Sequence, residues 1–534
     1  MTGGNGMERE PIERRQGRET GARLAILAVW LIAVGYLAWN HVFWRDEVRA
    51  LSLALNGDNW GAMLRGVQGE GHPALWYILL RAAHDLVPVR EVLPVVAGII
   101  GVAAAIVLVL RSPFPPVRIA TILFGAFFLF EYTVSARNYG ISMLVIFVIA
   151  DRYTRHRDSG VTLGLLLALL CNTNVHSAFL AAAFLLFWAL ELLSEDGWRW
   201  TKKARTLAIN AGIAAIGAGL CAITIYPPVN DAAVNAYPGG IAMIDIAHAL
   251  MATAQCFPNL VPYFLDGQPW MGPVLALALI GAPFGLIRAP GALLSSLAVL
   301  AVFQMFFYLI YPGGYRHQSL YLVYLIAMYW LTALGRGGRW PAMWRSKGRS
   351  KGRGDALALP ERIGGALFVL LLAMQLPNAV AYLRSPSKDV LESRSRDLAA
   401  LLRAQGLERS AILVTNADPM LEPMPYYIAN RLYLMRSERF GTVAPLSKRA
   451  MRAMSLGDMT TAMRRLRARY GVPVVSVLQY RLDLSAPAAV MDQGYIGSFA
   501  ITPEQVRAFQ AATTRIASFG PTISDESYDV YVMR

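Results

Sequence analysis

Long apolar runs alternate with short polar stretches along most of this 534-residue chain, and the pattern changes near Arg384. A helix rising 1.5 Å per residue crosses about 30 Å of hydrocarbon in roughly 20 residues. Runs approaching or reaching that length lie near 23–43, 91–110, 117–134, 138–151, 161–177, 178–194, 206–226, 271–288, 291–311, 318–335 and 363–383. They predict about eleven transmembrane helices. One further run, ALWYILLRAAHDLV, follows Pro73 and carries Arg81, His84 and Asp85. It is short for a span, and counting it would invert every later loop, so it reads as an interfacial helix along the outer leaflet. Beyond Arg384, SRDLAALLRAQG and PMPYYIANR are helix-like, whereas AILVT, VPVVSVLQY and YDVYVMR are strand-like. The expected fold class is a multi-pass α-helical membrane protein with a C-terminal extracytoplasmic α/β domain.

Composition agrees with the runs: 55% of residues are hydrophobic and 16% charged, with a mean hydropathy of +0.41. The net charge of +15 would suggest nucleic acid in a soluble protein, but a membrane protein places Lys and Arg in its cytoplasmic loops. No nucleic-acid role is expected. Basic residues gather at Arg9, Arg14, Arg15 and Arg18, at Arg111 and Arg118, at Arg152, Arg155 and Arg157, at Arg199, Lys202 and Lys203, and from Arg336 onward. All fall on one side under the span count, and residues 226–270 hold no Lys or Arg. The resulting plan is a cytoplasmic tail (1–22), a transmembrane module (23–383) and an exported domain (384–534). Within the module lie outer loops at 44–90 and 226–270 and a basic cytoplasmic loop at 336–362. Arg45, Arg49, Arg65, Arg81 and Arg90 run against the charge rule in the first outer loop, offset by acids in similar number. The run after the polar N-terminus lacks a small-residue cleavage site and reads as a retained first span. Cys171, Cys221 and Cys256 show no metal-like spacing.

Chemistry-bearing residues collect at the outer ends of the runs. Asp46 and Glu47 are adjacent carboxylates, able to share a raised pKa, hold a divalent cation (Mg or Mn) or activate a hydroxyl. Capping the helix that follows is the simpler explanation of the pair taken alone. Glu70 and His72 precede Pro73, expected at a first helical position; a solvated turn is the plain alternative. Arg137 and Tyr139 lie in SARNYG, where an arginine can fork onto phosphate or merely snorkel to the interface. NTNVHS supplies Asn172, Asn174 and His176, and a polar hairpin explains it as well. Arg316 and His317 in YPGGYRHQ suit an anionic headgroup or an interfacial anchor. Together these acids and cations suit deprotonation of a hydroxyl and departure of a lipid-linked phosphate.

With these residues in place, the chain resembles the GT-C superfamily of polyprenyl-phosphate-sugar-dependent glycosyltransferases, in the branch of protein O-mannosyltransferases and bacterial lipid A sugar transferases. The family's opening Asp-Glu is matched by Asp46 and Glu47. Its acidic-x-His-Pro-Pro-Leu-Tyr-Tyr pattern resembles EGHPALWY, with Ala74 and Trp76 as departures. Its Glu-Ala-Arg-x-Tyr resembles SARNY, with Ser135 in place of the carboxylate. His176 followed by Ser177 half-matches its His-Tyr, and Arg316-His317 resembles its late Arg-His.

The resemblance, over roughly residues 40–335, implies inverting transfer of a hexose or pentose from a polyprenyl-phosphate donor to a glycolipid, polysaccharide or protein acceptor. It implies Asp46 as base, with Glu47 assisting or holding a cation. Arg137, Arg316 and His317 would neutralise the leaving phosphate, and Glu70, His72, Tyr139 and His176 would shape the donor site. Metal use varies across the superfamily and is left open. The expected location is a bacterial inner membrane, with active site and C-terminus on the periplasmic side. The rivals are a flippase or transporter of lipid-linked saccharide, disfavoured by spans nearly free of central charge and by the lack of a repeat, and a non-catalytic membrane subunit.

Overall fold

The computed structural model describes residues 9–234, 240–340 and 357–534, with side chains from Arg18 onward. The N-terminal end of the expected tail and most of the basic loop at 336–362 lie outside the described residues. In chain order the first helices are α1 (Arg9–Asn40), α2 (Arg45–Ala54), α3 (Trp60–Val67), α4 (Leu75–Leu86), α5 (Val92–Arg111) and α6 (Pro116–Leu123). Then come α7 (Tyr139–His156), α8 (Thr162–Cys171), α9 (Val175–Asp196), α10 (Lys202–Ile225), α11 (Met243–Met251), α12 (Thr253–Cys256) and α13 (Met271–Gly281). The last of the apolar part are α14 (Pro290–Leu309), α15 (Tyr315–Ala333), α16 (Ala358–Ala373) and α17 (Leu376–Arg384). The C-terminal region contributes α18 (Ser395–Ala404), α19 (Met424–Tyr427), α20 (Leu456–Tyr470) and α21 (Pro503–Ala512).

The chain divides into two compact units, one of residues 1–39, 97–222 and 236–383, the other of 40–96, 223–235 and 384–534. In the first, six described helices are long and apolar enough to cross a membrane: 18–40, 92–111, 175–196, 202–225, 290–309 and 358–384. They turn large apolar side chains outward, such as Ile32 and Trp39 on α1 and Ile216 and Leu220 on α10, which only a hydrocarbon solvent tolerates over such areas. The protein is a multi-pass membrane protein. α7 and α15 are instead buried nearly all round, as expected of central helices.

Five of the eleven sequence placements are shorter, interrupted or less apolar than a simple span. The run at 117–134 breaks at Gly125 between α6 and a π-helical turn, Phe127–Glu131. The run at 271–288 tightens into a 3₁₀ segment at Ala282–Leu286, where Pro283 removes a backbone donor. The division expected at 177/178 falls earlier, because the Asn174 side chain accepts the Ser177 N–H and starts α9 there.

The second unit carries a six-stranded sheet in the order β3-β2-β1-β5-β9-β8. Its strands are β1 (Ile412–Thr415), β2 (Arg431–Leu434), β3 (Arg439–Phe440), β5 (Val474–Leu478), β8 (Thr514–Phe519) and β9 (Tyr528–Met533). β4 (Met454–Ser455), β6 (Ala489–Asp492) and β7 (Ser498–Ile501) form a second, three-stranded sheet. β1 runs parallel to both β2 and β5, whereas β9 is antiparallel to β5. Alternating β1 residues feed two cores: Leu413 packs with Leu398 and Leu402 of α18, and Ile412 and Val414 pack with Met459 and Met463 of α20. PMPYYIANR yields only the single turn α19, since its extended end enters β2.

Residues 40–96 fold onto this domain rather than forming a loose loop. α4 has twelve residues, packs against α2, and anchors Arg81 Nη1 on the carbonyls of Ala54 and Gly57. Leu86, Val87 and Val89 remain exposed at its end. Pro73 precedes α4 by two residues instead of opening it, because Ala74 is the N-cap whose carbonyl receives the Ile78 N–H. Gly69 adopts φ 81°, donates its N–H to Thr224 and leaves no room for a Cβ, which would lie 2.5 Å from the Pro227 oxygen.

Candidate functional site

The Asp46–Glu47 pair occupies the first turn of α2, where carboxylates favour the helix dipole. The two neighbours have different environments. Glu47 is fully buried, with His41 Nε2 at 3.0 and 2.9 Å from its two oxygens and the Trp44 N–H donating to it at 3.3 Å. That last bond is the reach-back half of a capping box. Asp46 is half-buried.

Arginines on either side fix this turn to distant carboxylates. The Arg45 N–H donates to Glu526 Oε1 at 2.9 Å, and Arg45 Nη1 lies 2.5 Å from Asp525 Oδ1. Four residues on, Arg49 spans two acids, with Nη2 2.6 Å from Glu70 and Nη1 2.6 Å from Glu422. Glu70 Oε2 also accepts from Asn230 Nδ2 at 2.5 Å. Burial works against both arginine charges, but Asp525, Asp46 and Glu526 together at Arg45, and Glu422 and Glu70 together at Arg49, outweigh it and hold the guanidinium groups above their usual range. Burial pushes Glu422 up to about 7 and Glu526 up to about 8, against the pull of Arg49 and Arg45 respectively. His72 is half-buried ahead of α4.

In the apolar unit a different arrangement holds the remaining candidates. His317 sits in the first turn of α15, and its Nδ1 accepts the Gly314 N–H at 2.9 Å. In the neutral ring Nε2 therefore carries the proton, and it lies 2.7 Å from the Tyr139 hydroxyl at the start of α7. His176, in the first turn of α9, lies 4.9 Å from His317 with the two rings tilted by 49°, and is enclosed by Phe303, Phe306 and Phe307. The Tyr132 hydroxyl donates to the Arg316 carbonyl at 2.6 Å. Arg137 and Arg316 are half-buried.

Two stretches that are separate in sequence join through a buried neutral network. Asn138 Nδ2 donates to the Thr173 carbonyl, and the Ser142 hydroxyl meets Thr173 Oγ1 at 2.8 Å. Asn174 Nδ2 and the Ser177 hydroxyl each donate to Ser142 Oγ at 2.9 Å. SARNYG and NTNVHS are thus one hydrogen-bonded cluster. Asn172 faces elsewhere, donating to the Ala168 and Gly217 carbonyls.

Of the sequence candidates, the structure groups Asp46, Glu47 and Glu70 within one unit and Tyr139, His176 and His317 within the other. His41, Arg45, Arg49, Glu422 and Glu526 were not singled out from sequence. The 3–4 spacing that puts Arg45 and Arg49 on one helix face was visible; their partners, 481 and 373 residues away, were not. Both Glu47 oxygens face His41, and among the described residues no group of three or more His, Cys, Asp or Glu is placed to hold a metal.

No family model matches the chain, and no curated protein matches it. Among solved structures it is similar to ArnT from Cupriavidus metallidurans bound to undecaprenyl phosphate, at 13% identity and a TM-score of 0.46, over 96% of this chain and 98% of that one. It is also similar to the arabinofuranosyltransferase AftD from Mycobacteria, at 13% identity and a TM-score of 0.37, over 96% of this chain and 40% of that one.

Proposed function

We propose that the protein is an integral membrane glycosyltransferase of the GT-C type, taking a sugar from a polyprenyl-phosphate carrier and passing it, with inversion, to an acceptor hydroxyl. The observation that carries this reading is the divided fate of the two adjacent carboxylates. Glu47 is an internal anchor for the turn, paired with His41, whereas Asp46 stays accessible in a turn immobilised by Arg45 and Arg49. A general base needs that combination of access and fixed geometry.

In the proposed reaction the acceptor oxygen attacks the anomeric carbon of the donor while Asp46 takes its proton. The carbon–oxygen bond to phosphate breaks, and polyprenyl phosphate leaves with the electron pair. Arg137, Arg316 and His317 are the groups the resemblance assigns to that phosphate, with the His317 ring held in place by Gly314 and Tyr139. Glu70, held by Arg49 and Asn230, and His72 shape the donor's sugar pocket. A single displacement of this kind inverts the anomeric centre and needs no step through a cation. The proposed setting is a bacterial inner membrane with Asp46 on the periplasmic face, the acceptor being a glycolipid, polysaccharide or protein.

The test is release of free polyprenyl phosphate from a panel of polyprenyl-phosphate monosaccharides, followed by mass spectrometry on purified protein in lipid. Asp46→Asn is expected to lower turnover by about 10²–10⁴ with donor binding retained. Turnover at the wild-type rate in that variant would remove Asp46 as the base.

A further inference from the structure

The C-terminal domain holds a polar cluster that the proposed reaction does not use. β1 has parallel neighbours on both sides, and the connections from β1 to β2 and from β2 to β5 run in opposite directions over opposite faces of the sheet. The connection to β2 passes α19, whose Met424 belongs to the core shared with α18. The connection from β2 to β5 passes α20, in the core on the other face. A reversal of this sort leaves a crevice beyond the carboxyl ends of the parallel strands, where open α/β sheets bind ligands.

Residues just past all three strands meet there. Arg436 follows β2 and is 5% exposed. Its Nη1 donates to the Asn416 carbonyl just beyond β1, and its Nη2 to Gln493 Oε1, each at 2.7 Å. Asn416 Nδ2 donates to Oε1 of Gln479, just beyond β5, at 3.2 Å, and Gln493 Nε2 donates to the same oxygen at 3.4 Å. The guanidinium therefore meets the Gln493 amide directly, and that amide is linked through Gln479 to the Asn416 side chain, with Gln479 and Gln493 half-buried.

The arginine is electrostatically incomplete. Its Nε is buried without an acceptor, and among the described residues no carboxylate lies within ion-pair distance of it. Asp418 is near, but its two oxygens receive the backbone N–H groups of Met435 and Arg436 at 2.7 and 2.9 Å. A buried, unpaired cation is costly unless an anion completes it. Planar amides around it are suited to hydroxyl groups, which need donors and acceptors together. Gln479 Nε2 also donates to Asp525, the carboxylate that holds Arg45 beside Asp46.

We propose that this crevice binds a saccharide bearing an anionic group, phosphate or carboxylate, with Arg436 meeting the charge and Asn416, Gln479 and Gln493 meeting the hydroxyls. That the saccharide is the sugar acceptor rests on the transferase reading; the existence of the site does not.

The experiment is calorimetric titration of the full-length protein in lipid nanodiscs with glucose 1-phosphate, glucuronate, glucose and inorganic phosphate, with no donor present. Both charged sugars should bind at least about tenfold more tightly than glucose, as expected for a charge-assisted contact. A preference for one of them identifies the anionic group as phosphate or carboxylate. Arg436→Gln should abolish the preference over glucose, and Gln493→Ala should weaken charged sugars while leaving inorganic phosphate unaffected. Glucuronate should keep its advantage over glucose in the Arg137→Gln/Arg316→Gln double variant; loss of that advantage would place the ligand elsewhere and overturn the proposal. So would charged sugars binding no better than glucose, or an Arg436→Gln protein that keeps the preference. Should Arg436→Gln fail to fold, unchanged glucose 1-phosphate affinity in Gln493→Ala overturns it alone. Asp46→Asn should bind these sugars normally, so failed turnover and failed binding remain separate results.

Discussion

The turn around Asp46 and the cluster around His317 are both polar arrangements held rigid, yet they are built from opposite materials. At α2, guanidinium groups on carboxyl groups do the holding: Arg45 on Asp525 and Glu526, Arg49 on Glu70 and Glu422. At α7 and α15, hydroxyl, amide and imidazole groups do it, in the Tyr139–His317 pair and the Ser142 network. The difference follows the solvent. Among apolar helices an unpaired charge has nowhere to relax, so neutral donors and acceptors carry the geometry. In the domain outside the spans an ion pair can be completed by water and backbone, and it reaches farther than a hydroxyl.

The sharpest way to break this contrast is Arg49→Ala. It strands Glu70 and Glu422, and loss of one partner of a buried ion pair typically costs about 3–5 kcal/mol. Chemical denaturation should show that loss; a change below about 1 kcal/mol would make the lattice ornamental and the contrast false.

Acidity gives the next effect, and its sign is definite. Glu422 and Glu526 hold their protons more tightly when folded, near 7 and 8, than an exposed glutamate does. Their contribution is complete below the unfolded value of about 4.5 and is lost as pH rises through the folded values. The apparent melting temperature of this region should therefore fall between about pH 4.5 and about pH 8 and level off above that. Glu422→Gln and Glu526→Gln should each flatten the fall, while Arg45 and Arg49 stay charged throughout. Melting that rises with pH over that interval would mean that the arginines, not burial, govern these carboxylates.

Tyr139→Phe probes the neutral counterpart, removing the buried Tyr139–His317 hydrogen bond at a cost of about 1 kcal/mol. Asn174→Ala, which removes the cap of α9 and one arm on Ser142, should cost about 1 kcal/mol. Both are thermal-shift measurements in detergent, and losses as large as that of Arg49→Ala would erase the distinction between the two materials.

The same distinction explains what could be read without coordinates. Apolar periodicity located the long helices and the strands β1, β5 and β9, because burial on every side leaves a continuous hydrophobic run. It missed β2 and β8, which begin with exposed residues, and it merged segments that Gly125 and Pro283 interrupt. The motif residues Asp46, Glu70 and Tyr139 stood out because their types are unusual at the ends of apolar runs. Glu422 and Glu526 did not, since a glutamate in a polar domain is unremarkable until the arginine it answers is known. Arg436 was hidden for the same reason: its meaning lies in the partner it lacks.

The lattice at α2 also has a timetable. Arg49 is synthesised 373 residues ahead of Glu422, a delay of roughly 20–75 s at ribosomal rates of about 5–20 residues per second. Asn230, made between them, offers Glu70 an early partner and later receives the Leu446 N–H. Until the last 150 or so residues emerge, α2 carries two arginines whose distant carboxylates do not yet exist. A nascent chain stopped before Glu422 therefore presents Asp46 in a turn held by His41 and Glu70 but not yet by its distant carboxylates, and the segment made last is the one that finishes the part made nearly first.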